Sequence, residues 1–382
     1  MSHIIDKITA RRIKYGNQKT KTSLTGADKD VNDSWDRPSG MYYSFEFFPP
    51  KTEPGLDNLL TRIERMARRL DPLFIDVTWG SGLSTAARTL AVASHAQRYC
   101  GVDVLLHLTT TSMTRSQLES ALQQAKSCGI RNILALRGDP PRGKRSWAPG
   151  DTNDGYCSRA TDLVKLIREL HGDYFGIAVA GHPEGHPSSY SMDDEMGHLK
   201  EKIDAGADFI ITQFFYDTTA FLDYVERCRQ CGIVCPILPG IMPIQSFSAF
   251  IKMTAYCGVA VPNCIMEKLE PVKDDDERVK QIGCEIAVDM CRQILTKGID
   301  VDGIHFYTLN LERSVTTILM SMGAIDVVKP LSPSRGDGKR PAQEVQANGT
   351  STSMLETVRP NNERQFPWRP SALAQRSKED VR

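Results

Sequence analysis

The feature that most constrains this chain is an eightfold alternation. Short apolar runs occur at 41–48 (MYYSFEFF), 73–78, 102–108, 130–136, 175–180, 208–212, 235–239 and 301–307. Stretches with helical periodicity lie between them, at 56–70, 84–99, 114–128, 159–171, 192–205, 218–231, 245–257 and 275–297, with a last helix near 311–322. Strands alternating with helices imply parallel strands joined by crossovers, and short, nearly continuous apolar runs are those of strands covered on both faces. Eight such units in one domain-sized stretch predict an α/β fold, a (β/α)8 TIM-type barrel. A flavodoxin-like or Rossmann sheet usually needs fewer strands.

The flanks differ from this pattern. Residues 1–39 are polar and mixed in charge, and are expected to be a partly disordered extension; within it, Ile4, Ile5 and Ile8 lie on one side of a short amphipathic helix. Residues 331–382 are rich in Ser, Pro, Arg, Asn and Gln and are expected to be a tail or linker, because too little apolar surface is available to offset the entropy of ordering. The barrel is therefore assigned to 40–330.

Forty-seven basic and 47 acidic side chains cancel, which argues against a chain-wide attraction to nucleic acid or to an anionic membrane. No run approaches the ~20 apolar residues of a membrane helix, and the N-terminus has no apolar signal core. The ten cysteines are scattered, and the one CxxC, Cys228 to Cys231, falls inside a predicted helix. Reduced thiols in a cytoplasmic protein are the expectation.

A barrel places its chemistry where strands end and loops begin, at the C-terminal face. Unusual polar residues fall at those places: Glu46 between Phe45 and Phe47; Thr78 and Trp79 at the end of the second strand; His107 at the end of the third; Arg137, Gly138 and Asp139 after the fourth; His182 and His186 after the fifth; Gln213 after the sixth; Tyr307 to Asn310 after the eighth. A carboxylate set among aromatic rings loses hydration, which raises its pKa toward neutrality and suits it to general-acid work. Gly138 lets backbone approach a planar ligand closely, and Asp139 can accept two hydrogen bonds from an amino-pyrimidine edge. Gln213 donates and accepts at once, and Phe247 lies in a loop after the seventh strand, where ligand contacts concentrate.

Two motifs are weaker than they look. Gly138 to Lys144 (GDPPRGK) opens like a phosphate-binding loop, but Arg145 replaces the magnesium-holding Ser or Thr, and Pro140 and Pro141 remove two N–H donors. His182 and His186 are spaced for a metal on a helix, but Pro183 and Pro187 oppose a helix, so no metal is expected; the segment to Ser188 and Ser189 suits a phosphate or pyrophosphate, with Lys202 as a nearby cation.

Taken together, Phe45-Glu-Phe-Phe-Pro-Pro-Lys51, Leu136-Arg-Gly-Asp139, Ala180 to Pro187, Ala207-Asp-Phe-Ile-Ile-Thr-Gln213 and His305-Phe-Tyr-Thr-Leu-Asn310 resemble the methylenetetrahydrofolate reductase family in order and spacing over roughly residues 40–325. The resemblance implies a (β/α)8 barrel with FAD at its C-terminal face. It also implies a ping-pong reaction in which NADPH or NADH reduces FAD and 5,10-methylenetetrahydrofolate then takes the hydride to become 5-methyltetrahydrofolate. By position, Glu46 would be the general acid and Asp139 would hold the pterin and tune the flavin. Thr78, Trp79, His107, Arg137, Gly138, Arg159, Ala160, His182, His186, Ser188, Ser189, Glu195 and Lys202 would bind FAD. Gln213, Phe247, Tyr307 and Arg313 would contact the folate, with or without its polyglutamate tail.

The chain departs from the family pattern at several of these positions. Arg159 and His182 stand at aromatic positions and Glu195 at an aspartate position, while Leu311 replaces a folate-contacting arginine, with Arg313 two residues on. Ala207 lies where added volume is expected to push the helix carrying Lys202 off the flavin. Further expectations from the resemblance are a homodimer or other homo-oligomer, a role in methionine biosynthesis, and a C-terminal S-adenosylmethionine-binding domain beyond residue 382, without which that effector would not inhibit. Two other readings of the barrel stay open at this stage: a flavin-independent, methyltransferase-like folate protein, and a non-catalytic barrel.

Overall fold

The structure is a computed structural model and describes residues 2–22, 40–79, 83–111, 113–138, 157–186, 189–297 and 300–325. Asp139, Ser188, the GDPPRGK stretch beyond Gly138 and the 331–382 tail lie outside the described residues. The chain divides into two units, Met1–Asp326 and Val327–Arg382, and the barrel belongs to the first.

Eight parallel strands close into a barrel in chain order, β8 pairing back onto β1. They are β1 (Tyr42–Phe47), β2 (Phe74–Val77), β3 (Asp103–Thr109), β4 (Asn132–Leu136), β5 (Gly176–Gly181), β6 (Phe209–Phe214), β7 (Ile237–Ile241) and β8 (Gly303–Tyr307). All eight predicted runs form strands, so the TIM-type barrel stands. Ahead of β1 lies α1 (Ile4–Thr22). The outer layer contains α2 (Glu53–Leu70), α3 (Leu83–His95), α4 (Arg115–Ser127), α5 (Ala160–His171), α6 (Met192–Asp204), α7 (Thr218–Gln230), α8 (Phe247–Cys257), α9 (Asn263–Leu269), α10 (Asp276–Thr296) and α11 (Arg313–Ser321). No described helix is long and apolar enough to cross a membrane.

Local chemistry explains the element ends. Thr52 accepts a hydrogen bond from the Gly55 N–H at the start of α2, and Pro54 occupies the first turn, where its missing N–H costs nothing. The helix then buries Leu59, Ile63, Met66 and Leu70 on one stripe and ends at Asp71 in the left-handed region. Thr114 and Gln117 cap α4 reciprocally. Two details differ from the periodicity: residues 96–99, which it assigns to the end of α3, form a π turn together with Cys100, and α9 has no counterpart in it.

The segment ahead of residue 40 is not all loose extension. Ile4 and Ile8 of α1 are fully buried in one cluster with Tyr42, Phe74, Leu105, Leu134, Ala178, Phe209, Ile211 and Leu238, inward-facing residues of the barrel's lower half. Ile5 is only partly buried against it. The Ile4 N–H donates to Asn132 Oδ1 at 2.8 Å, Lys7 pairs with Asp103 at 2.5 Å, and Arg12 pairs with Asp302 at 2.9 Å. The barrel floor is thus apolar and closed by α1, which leaves the opposite, C-terminal end for polar chemistry.

Candidate active site at the C-terminal mouth

Strand alternation decides which side chains enter the barrel. Register pairs Ser44 with His305, and Glu46 with both Asp76 and Tyr307. These residues share the inner face. Phe45 and Phe47 point the other way, into the layer between strands and helices, where Phe45 packs on Tyr43 and Phe306 with ring centroids 5.6 and 6.3 Å apart. The sequence suggests that the flanking aromatics desolvate Glu46. The structure corrects this: the barrel interior does.

The Glu46 carboxyl is 5% exposed. Burial pushes its pKa up to about 7; Asp76 adds to the rise, while His107 and the hydrogen bond from Thr78 oppose it. Thr78 Oγ1 donates to Glu46 Oε1 at 2.7 Å. Asp76, also buried, has its carboxyl raised to about 6 by burial, with His305 opposing. His107 Nε2 lies 2.8 Å from Asp76 Oδ2, His305 Nε2 lies 3.6 Å from the same oxygen, and His305 Nδ1 is 2.8 Å from Ser44 Oγ. Burial lowers the pKa of both histidines, with Glu46 opposing at His107 and Asp76 at His305. The acid sits on a hydrogen-bonded polar layer formed by β8, β1, β2 and β3. Atoms of Glu46, Asp76 and His107 lie within 4.8 Å of one another, a set of metal-ligand type. The bonds from Thr78 and His107 commit two of its oxygens to proton donors instead.

A side chain at Gly240 would collide with the Thr212 carbonyl and the Tyr307 ring. Its absence lets Tyr307 cross the wall and donate from its hydroxyl to Thr212 O at 2.8 Å. Gln213, placed after the sixth strand by the sequence, is part of β6, half-buried, with Oε1 accepting from the Phe214 N–H at 3.0 Å. His107, likewise, lies within β3 and not at its end.

A second group follows β4 and β5. Gly138 has φ +90°, and a Cβ there would stand 2.8 Å from Thr111 Oγ1. Only glycine fits at this place. Glu195 accepts from His182 Nδ1 at 2.9 Å and from Ser189 Oγ at 2.8 Å. Burial raises the Glu195 carboxyl, but His182, Lys202 and Ser189 outweigh it and bring it to about 2. Burial lowers His186 to about 4, helped by His182 and Arg137. Lys202 is buried with Nζ 2.7 Å from the Ala180 carbonyl, and its pKa is lowered by burial. Arg137, also lowered by burial, senses Arg159, whose guanidinium lies 3.8 Å from Glu201. Arg137, His186 and Lys202 thus converge enough to repel one another electrostatically, the donor set of a diphosphate site. With the bare backbone at Gly138, these residues fit a flavin dinucleotide.

The other expected residues are more dispersed. Trp79 is buried directly after β2 and Ala160 opens α5. Phe247, expected in a loop, is the first residue of α8 and half-buried. Arg313 is 86% exposed and pairs with Glu277 at 3.5 Å, so the structure does not bring it to the Glu46 cluster. Sequence reasoning missed Asp76, His305 and Ser44. A signal existed: each is a polar residue at an inward position of an apolar run, in step with the strand alternation.

Comparison with known proteins agrees with this geometry. The family model "Methylenetetrahydrofolate reductase" matches residues 32–323. The chain is 42% identical over 349 residues to "Methylenetetrahydrofolate reductase (NADH) 1" of Zea mays, covering 89% of this chain and 52% of that protein. It is 46% identical over 301 residues to "Methylenetetrahydrofolate reductase 2" of Schizosaccharomyces pombe, covering 75% of this chain and 46% of that one. The chain thus spans about half the length of these two relatives. It is also 38% identical over 280 residues to "5,10-methylenetetrahydrofolate reductase" of Pectobacterium carotovorum subsp. carotovorum, covering 73% of this chain and 89% of the bacterial protein. Among solved structures, an uncharacterized Clostridium thermocellum protein described as binding two copies of 5-methyl-5,6,7,8-tetrahydrofolic acid superposes with a TM-score of 0.53 at 16% identity, over 75% of this chain and 96% of that one; that likeness concerns the fold alone.

Proposed function

The chain belongs to the methylenetetrahydrofolate reductase family, and on that premise we propose that it reduces 5,10-methylenetetrahydrofolate to 5-methyltetrahydrofolate with NADH or NADPH as donor and FAD as cofactor. The observation that carries the proposal is Glu46: a buried carboxyl at the polar mouth of the barrel that keeps its proton near neutral pH. FAD, when bound, supplies two-electron transfer from the nicotinamide to the folate carbon. Residues after β4 and β5 would hold it: Arg137, His186 and Lys202 at the diphosphate and Gly138 along the ring system, with His107, Thr78 and Trp79 from the neighbouring strands. Asp139 and Ser188 are proposed contacts on the resemblance alone.

The chain's own chemistry concerns one proton. Opening the five-membered ring of the folate requires protonation of the nitrogen that leaves the bridging carbon. The overall reaction, NAD(P)H plus methylenetetrahydrofolate plus H⁺ giving NAD(P)⁺ plus methyltetrahydrofolate, consumes that proton. Glu46 delivers it, and Thr78 aims the carboxyl by bonding Oε1. Gln213 and Tyr307 line the opposite side, where an amide and a ring edge suit a pterin, and Phe247 packs on the substrate. A cytoplasmic homo-oligomer belongs to the same proposal.

The test is product analysis. Protein supplied with FAD, methylenetetrahydrofolate and either nucleotide should form 5-methyltetrahydrofolate. Folate binding without any methyl product, with FAD and both nucleotides tried, would overturn the reading.

A further inference from the structure

Glu46 has a partner that the proposed reaction does not use. Asp76 stands beside it in register on β2, faces the same interior and is 1% exposed. Its Oδ2 lies 2.8 Å from His107 Nε2 and 3.6 Å from His305 Nε2. Its Oδ1 is buried with no hydrogen-bond partner among the described residues. A buried carboxylate with a bare oxygen is costly unless a counter-charge or a proton compensates it.

No Lys or Arg is among the described groups that act on the pair. The groups facing the pair are Ser44 from β1, Thr78 after β2, His107 from β3, and His305 and Tyr307 from β8. Burial lowers the pKa of both imidazoles, with Glu46 opposing at His107 and Asp76 at His305, and the Tyr307 phenol is pushed well above its ordinary value by burial and by the two carboxyls. Below lies the apolar floor of Phe74, Leu105 and Phe209. Two carboxyl groups this close in such surroundings cannot both ionise freely.

We propose that Asp76 is the positioning residue of the acid: with Glu46 it forms a buried carboxyl pair that shares one proton, and its Oδ2 fixes hydrogen on Nε2 of His107. When Glu46 protonates the folate nitrogen, the incoming solvent proton is shared across the pair, and the Asp76 charge holds it on Glu46 for the next turnover. The proposal rests on Glu46 being the acid.

The test is infrared difference titration of the C=O stretch of protonated carboxyl groups, on the chain without flavin. The parent should show two buried carboxyls titrating in coupled steps. Asp76→Asn should leave one, with its midpoint lower by about 1 pH unit. Glu46→Gln should leave the other, titrating at the midpoint of the parent's first, more acidic step, because a neutral Gln stands in for the protonated Glu46. Asp76→Glu should restore the parental pattern. With flavin supplied, the alkaline limit of folate reduction by Asp76→Asn should fall by the same interval, so that the rate above that limit drops about tenfold. If the carboxyl that survives in Asp76→Asn titrates where the parent's second step does, the pair is uncoupled and the proposal fails. Asp76→Ser, which also removes the charge, decides the matter if Asp76→Asn does not fold. Failure of the parent to make methyl product would overturn the function and not this coupling, which the spectra read directly.

Discussion

Thr78 Oγ1 donates a 2.7 Å hydrogen bond to Oε1 of Glu46, which ties the first residue beyond β2 to the acid on β1. The bond favours the charged form of Glu46 and so works against burial. Thr78→Val keeps the shape and removes the donor. The midpoint of Glu46 should rise by about 1 pH unit, equivalent to one hydrogen bond of about 1.4 kcal/mol. Folate reduction should then persist to higher pH, at a lower maximal rate because the carboxyl is less well aimed. The pH dependence of that half-reaction checks this; an alkaline limb that stays put or moves down would contradict it.

The raised Glu46 pKa also has a stability consequence. Its folded value, about 7, exceeds the ordinary glutamate value of 4.5. Between those values the folded state holds a proton that the unfolded chain has released. Stability from this group is therefore complete below about pH 4.5 and is lost as pH rises through about 7. Glu46→Gln carries no such proton. Relative to the parent, the variant should gain about 1–3 kcal/mol on going from pH 5 to pH 8. Denaturant unfolding at the two pH values measures the difference. A gain at the acidic end instead would show that the carboxyl is ionised in the fold.

Ala207 links the strand wall to the cofactor helix. It is 7% exposed, and its N–H donates to the Lys202 carbonyl at 3.2 Å. The preceding Gly206, at φ +111°, is clamped through its carbonyl by Arg168 at 2.6 and 3.0 Å. Ala207→Val adds two methyl groups with little room to relax, a strain of about 1–3 kcal/mol. The C-terminal end of α6, which carries Lys202, is the side that can yield. FAD should leave the variant faster than the parent in a dilution experiment followed by flavin fluorescence. Equal dissociation rates would remove the link between this turn and the cofactor site.

At the other end of the barrel, Ile8 is fully buried against the floor. Ile8→Ala should cost about 2–5 kcal/mol by the usual cavity effect, read as a lower denaturation midpoint. A change within a few tenths of a kcal/mol would mean that α1 is dispensable to the barrel.

What could be read from the sequence follows from what each residue contacts. The eight strands were legible because a strand covered on both faces must be apolar almost throughout, and runs such as LLHL or FIIT suit little else at that length. Glu46 was legible for the same reason: a lone carboxylate in such a run has to be handled. Its environment was inferred from sequence neighbours, Phe45 and Phe47, which alternation sends to the other face. The residues that touch it, Asp76, His107 and Thr78, come from other strands, and only the closed register brings them together. The docking of α1 was hidden likewise, because Ile4 and Ile8 announce an amphipathic helix but not the surface that receives it. Arg313 was inferred by its distance along the chain from a motif, and one helical start carried it outward to Glu277.

The central claim is best tested by rapid mixing of flavin-loaded protein, parent and Glu46→Gln, first with the nicotinamide and then with methylenetetrahydrofolate. The nicotinamide step needs no acid and the folate step does. Both proteins should therefore lose the oxidised-flavin absorbance with NADH or NADPH. Only the parent should recover it with folate at full rate, the variant being slower by about 10²–10⁴-fold. A parent that takes up no FAD, or a variant that recovers its colour as fast as the parent, would contradict the account.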